Sequence, residues 1–400
     1  MLVLILSSIL VSNANFVFSV NPVIFVPGDG GSQIEAKLNK TSSPAVYCEK
    51  HTSYYYTLWL DLSQISLAQN CFVDNMRLVY NSTTHRTQDS PGVSIQVPGF
   101  GNTNTVEFLD PGREEFTTYY FHIIERLIKE GYARNISLRG APYDFRRSPN
   151  EFQDYFSKVK KLILETYKAN NNSRVILMAH SMGSPTMLYF LNRQSQAWKD
   201  KYIRSLVTIS GVWGGALKTL RLMSSGDNLG IFVVKPHLVR EYQRSATSTA
   251  WLMPYDTFWG ADEILVSQPK RNYTVNDYKQ FFDDINYPAG YMMRKDTENL
   301  IKKLTPPGVE VFCIHGVNIS TPAQLNFQNG FPDEQPSVKS GAGDGTVNIR
   351  SLLGCLRWQK QQSQPVHHYA ESTFFFFFPS LLTFTKTEKM HLTLQYLQMV

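Results

Sequence analysis

The chain has 400 residues, of which 42% are apolar and 18% charged; it can bury a large core, which excludes a disordered chain and a small disulfide-stapled scaffold. Thirty-nine Lys and Arg against 33 Asp and Glu leave a charge of +6, spread without any run of about five like charges, so no nucleic-acid partner is expected. The four cysteines form no C-x-x-C pair and no calcium-loop pattern occurs, so neither a metal nor another cofactor is expected.

Leu2 to Val11 is a ten-residue apolar run followed by small and polar residues. It is too short to span a bilayer and has the size of a signal-peptide core, so residues 1–19 read as a signal peptide; a buried N-terminal strand is the alternative. Residues 20–400 then form the mature domain, which has no later apolar segment of membrane-spanning length. Sequons at Asn39, Asn81, Asn135, Asn171, Asn272 and Asn318 agree with a glycosylated protein of the secretory route, where four cysteines form two disulfides. Three pairings are open, and loop entropy favours neighbours, Cys48 with Cys71 and Cys313 with Cys355.

Pro22-Val23-Ile24-Phe25-Val26 is an apolar run broken by Pro27-Gly28-Asp29-Gly30-Gly31, a buried strand feeding a tight loop. Tyr119 to Tyr132 and Phe152 to Lys168 have helical periodicity. Arg174 to Ala179 reads as a strand, His180 to Gly183 as a sharp turn, and Thr186 to Arg193 as a helix. Ile203 to Ile209 and Val309 to Ile314 are further core strands. Strands alternating with helices predict an α/β fold with a mainly parallel sheet. Two stretches break the alternation: about 41–108, with the cluster Tyr54 to Leu60, and about 219–283, with a loop tip expected at Gly226, Asp227 and Asn228. Insertions of that size commonly form lids or accessory subdomains.

Ala179-His180-Ser181-Met182-Gly183 has the pattern of a nucleophile elbow, with Ala at the first small position. Small residues two before and two after the serine are needed because the strained turn brings the backbone against its neighbours. Such a fold takes its acid and histidine later in the chain. Asp344, in Gly341-Ala342-Gly343-Asp344-Gly345-Thr346-Val347-Asn348, is the candidate acid, and His367, His368 and His391 are the candidate histidines. The backbone N–H groups of Asp29, in the loop after the first strand, and of Met182 are the expected oxyanion donors.

The segments Val26-Pro27-Gly28-Asp29, Glu107-Phe108-Leu109-Asp110-Pro111, Arg139 to Arg147, Ala179 to Gly183, Gln196 to Arg204, Trp213-Gly214-Gly215 and Gly343 to Asn348 resemble, in one order, the lecithin:cholesterol acyltransferase family, more its lysosomal phospholipase branch. The resemblance implies an α/β-hydrolase core, with a membrane-binding part within 41–108 and a cap within 219–283 whose lid spans Leu220 to Gln243. It implies a calcium-independent phospholipase A and acyltransferase in which Ser181 takes an acyl group from a glycerophospholipid and passes it to water or a lipid alcohol. Tyr55, Leu58, Trp59 and Leu60 would touch a phospholipid membrane surface, an ordinary core strand being the other reading of that run. Lysosome or extracellular fluid is the implied location. The resemblance fades near Ala370, where a run of phenylalanines begins, and residues 371–390 read as an atypical insert. Lys389-Met390-His391-Leu392 again resembles the family's histidine segment. His391 is therefore chosen to complete the triad, with His368 as runner-up. A lipid-binding homologue with impaired catalysis is the alternative function.

Overall fold

The computed structural model describes residues 20–230 and 234–372. The expected signal peptide, His391 and nearly all of the 371–390 insert lie outside the described residues.

Six strands form the central sheet: β1 (Val23–Val26), β2 (Leu138–Gly140), β3 (Val175–His180), β4 (Ile203–Ile209), β5 (Glu310–Val317) and β6 (Val366–Ser372). Their spatial order is β6-β5-β4-β3-β1-β2, with parallel pairing throughout. β1 and β3 are buried at every residue, as continuous apolar runs must be when helices cover both faces of a sheet. The helix Gln153–Ala169 buries Val159, Leu162, Ile163 and Thr166, a stripe at helical spacing that faces the sheet. Gly183–Leu191 follows β3 directly and is buried at all but one position. This is the predicted α/β architecture.

The first insertion carries a three-stranded antiparallel sheet, Ile34–Leu38 between Tyr56–Trp59 and Val93–Gln96. Two helices, Leu62–Leu67 and Gln69–Met76, lie beside it, and the second is tied back by the Cys48–Cys71 disulfide. The second insertion is larger than its sequence pattern suggests. Its hairpin Val266–Gln268 and Arg271–Tyr273 is completed by Thr321–Asn326 and Ser337–Gly341, which follow β5 in the chain. A separate apolar core, including Trp259, Tyr273, Phe281, Phe282 and Leu325, unites these segments. The expected loop tip at Gly226 to Asn228 is corrected: Asp227 is buried, its N–H donating to Gln243 Oε1 at 3.0 Å and its carbonyl accepting from Gln243 Nε2 at 2.7 Å. Among the described residues no helix is long and apolar enough to cross a membrane.

Candidate active site

Ser181 stands where β3 ends and the helix Gly183–Leu191 begins, at a φ of +48°. Its N–H donates to the Ile209 carbonyl of β4 at 2.8 Å, which anchors the turn to the sheet. That left-handed conformation is strained for a residue with a Cβ and is held by the surrounding structure. The small neighbours have a direct reason: a Cβ on Gly183 would lie 2.5 Å from the Pro27 carbonyl oxygen, and one on Gly28 2.8 Å from Ser181 Cβ. The elbow and the loop after β1 thus pack backbone to backbone.

That loop is fastened from three sides. The Gly28 N–H donates to the Tyr119 hydroxyl at 2.9 Å, the Trp59 indole N–H to the Gly30 carbonyl at 2.7 Å, and the Tyr143 hydroxyl to the Pro27 carbonyl at 2.9 Å. Within it, the Gly31 N–H donates to the Gly28 carbonyl at 3.1 Å. In a trans peptide the N–H points opposite to the preceding C=O, so the Asp29 N–H faces away from that turn. The Asp29 side chain is half-buried on the cavity wall, and desolvation pushes its pKa up to about 6 against the pull of Lys218 and the Gly30 N–H.

Asp344 lies on a loop beyond β5, one strand over from β4. Its Oδ1 accepts from the Thr346 N–H at 3.0 Å and the Val347 N–H at 2.8 Å. Burial raises its pKa, while those amides, the Ser210 hydroxyl and the nearby His315 favour the carboxylate. The strap Ile319–Thr321 holds this loop: the Ile319 N–H donates to the Gly343 carbonyl at 3.2 Å, and the Gly345 N–H to Thr321 Oγ1 at 2.8 Å. Ser181, Asp344 and Asp29 all border one cavity of about 500 Å³, with Trp59, Phe145, Leu222 and Leu252 among its apolar walls. That volume falls within the ~300–1,000 Å³ of small-ligand pockets.

The histidines divide. His391 lies outside the described residues. His368, on β6, has its Nε2 2.8 Å from His315 Nε2 and does not border the cavity, and His367 Nε2 meets Glu310 Oε1 at 3.0 Å. His180 does border it, but burial depresses its pKa to about 3 and its Nδ1 is bonded to the Tyr119 hydroxyl. A base that weak, with that nitrogen engaged, is unsuited to take the serine proton. His315, 2% exposed, was not among the sequence candidates, because it precedes the acid and its strand gives no sign of a polar partner.

One group of expected contacts is corrected. Leu58, Trp59 and Leu60 are 0%, 5% and 7% exposed; Tyr56–Trp59 pairs with Ile34–Leu38 across a register shift, which lets the adjacent Leu58 and Trp59 both be buried. Trp59 packs edge-on to Phe145 with ring centroids 5.4 Å apart. Tyr55 stays exposed, and the large exposed apolar groups nearby are Val46, Tyr47, Tyr54 and Leu67. The structure pairs Cys48 with Cys71 and Cys313 with Cys355. Of the sequon asparagines, Asn39, Asn135, Asn171, Asn272 and Asn318 are exposed, and Asn81 is half-buried with its Oδ1 accepting from the Thr83 and Thr84 N–H groups.

A parallel sheet whose third strand in the chain turns through a strained serine into a buried helix is that of an α/β hydrolase, here of the serine-hydrolase class. The chain belongs to the lecithin:cholesterol acyltransferase family, whose model matches residues 54–373. Its relatives include "Lysosomal phospholipase A and acyltransferase" of Rattus norvegicus, 47% identical over 346 residues, covering 86% of this chain and 83% of that protein. The protein of the same description from Homo sapiens is 46% identical, covering 86% and 84%. "Phosphatidylcholine-sterol acyltransferase" of Gallus gallus is 41% identical over 351 residues, covering 87% and 84%. The family match ends at residue 373, ahead of His391.

Proposed function

We propose that the protein is a serine phospholipase A and O-acyltransferase acting on glycerophospholipids. The elbow serine bordering a mainly apolar cavity shared with the Asp344 loop is the observation that carries this reading. Ser181 Oγ attacks the acyl carbonyl, a histidine takes its proton, and Asp344 orients that ring. His391 is the histidine we assign to this step. The Asp29 and Met182 N–H groups stabilise the oxyanion. The proton passes to the leaving lysophospholipid alkoxide, and an acyl-enzyme remains. Water then releases a fatty acid, or the hydroxyl of a lipid alcohol takes the acyl group. Lys218 on the cavity wall offers a cation to a phosphodiester headgroup.

In this reading the first insertion, with Val46, Tyr47, Tyr54, Tyr55 and Leu67 exposed, docks at a phospholipid surface, and the 219–283 insertion, which includes the helix Pro236–Ser245, is the cap. Two disulfides suit an oxidising compartment, and the likeness to lysosomal relatives favours the lysosome over extracellular fluid. The sequons are the sites of N-glycosylation in this reading.

The test is fatty-acid release from phosphatidylcholine vesicles near pH 5 by the native chain, Ser181→Ala and His391→Ala. Loss of about three or more orders of magnitude in both variants is expected. A native chain that binds vesicles but releases nothing would support the lipid-binding alternative, and full activity in His391→Ala would move the base to another residue.

A further inference from the structure

We infer that Tyr119 is a positioning residue that locks the oxyanion loop to the nucleophile elbow through its hydroxyl; the inference rests on the catalytic reading above. Its ring is buried beside β1, just before the helix Phe121–Lys129. The hydroxyl accepts the Gly28 N–H at 2.9 Å and bonds His180 Nδ1. A phenol carries one proton and two lone pairs, so its oxygen can accept from Gly28 and still bond Nδ1, whichever ring tautomer His180 holds. One oxygen therefore joins the residue before Ser181 to the residue before Asp29.

The contact extends across the loop. A Cβ on Gly31 would sit 2.7 Å from Tyr119 Cζ, so the ring also rests against the residue that closes the turn onto the Gly28 carbonyl. Gly28 is thus held on both sides: Tyr119 fixes its N–H, in the peptide plane shared with Pro27, and Gly31 fixes its C=O, in the plane shared with Asp29. That carbonyl belongs to the same plane as the Asp29 N–H, so fixing it fixes the aim of the oxyanion donor. Trp59 and Tyr143 hold the loop through carbonyls at its flanks; Tyr119 connects it to the elbow. An oxyanion donor acts through preorganisation, so a small loss of aim weakens the transition state more than substrate binding.

Tyr119→Phe removes the oxygen and keeps the ring. The matched control is Tyr120→Phe, which removes an equally buried hydroxyl donating to the Val26 carbonyl at 2.9 Å. Expected for Tyr119→Phe is a fall in kcat of about 10- to 100-fold with KM within about twofold, and faster amide exchange at Gly28 to Gly31; Tyr120→Phe should show neither. Native-like exchange across Gly28 to Gly31 in Tyr119→Phe would overturn the assignment, as would turnover equal to that of Tyr120→Phe. If the native chain releases no fatty acid, the catalytic reading has failed, and the exchange comparison still decides whether Tyr119 holds the loop.

Discussion

Asp29 shows how one half-buried group ties stability to pH. Its carboxyl titrates at an ordinary 3.8 when solvated and at about 6 in the fold, because burial penalises the charge more than Lys218 and the Gly30 N–H relieve it. Between those pH values the folded chain holds more protons than the unfolded one, so stability falls as pH rises from about 4 to 6. The shift corresponds to about 3 kcal/mol. Ionisation would also place a negative charge beside the proposed oxyanion site, so turnover should fall as pH passes about 6. Asp29→Asn is expected to raise Tm at pH 7 relative to the native chain, to leave it nearly unchanged at pH 4, and to extend kcat/KM toward neutral pH. Coincident alkaline limbs in the two pH–rate profiles would refute this role of Asp29.

At the scale of elements, the elbow was legible because its requirements are local. A six-residue apolar strand, a serine between small residues and a helical run can hardly serve another geometry, and Gly183 shows why. Gly183→Ala would push a methyl group to 2.5 Å from the Pro27 carbonyl oxygen. The loop must move, at a cost of about 1–3 kcal/mol, and it carries the proposed oxyanion donor. A Tm lowered by several degrees and a large loss of kcat are expected from thermal melts and vesicle assays; native kcat would show that the loop tolerates the shift. Other features lay beyond local pattern. The alternation in Tyr56–Trp59 fits a membrane face and a core strand equally well, and only pairing with Ile34–Leu38 decides that Leu58 and Trp59 point inward. Asp227 looked like part of a loop tip, yet Gln243, sixteen residues on, supplies its backbone partners. Thr321–Asn326 joins a hairpin some fifty residues earlier by non-local pairing, and Tyr119 gave no sign of its two partners in the elbow and the oxyanion loop.

Across the whole molecule, the two insertions meet over the sheet and connect the surface to the cavity. Phe72 packs edge-on to Tyr242 with centroids 5.5 Å apart, the Leu78 N–H donates to Ser245 Oγ at 2.9 Å, and the buried Arg146 bonds the Met76 carbonyl at 3.0 Å and Asp89 at 2.8 Å. Trp59 closes the circuit, packing beside Phe145, lining the cavity and holding Gly30. In the docking mode proposed above, these contacts join the exposed end of the first insertion to the cavity. The consequence is a separation of docking from chemistry. Leu67, at 85% exposure, and Tyr54, at 68%, do not border the cavity. Transfer of two such side chains into an interface contributes about 2 kcal/mol when partly inserted, or about 30-fold in partition. A Tyr54→Ser/Leu67→Ser double variant should bind phosphatidylcholine vesicles about 30-fold more weakly and release fatty acid from them correspondingly slowly, while hydrolysing a soluble short-chain ester at the native rate. If vesicle sedimentation shows native binding, the docking face lies elsewhere; if soluble-ester turnover falls in parallel, these side chains shape the cavity rather than the membrane contact.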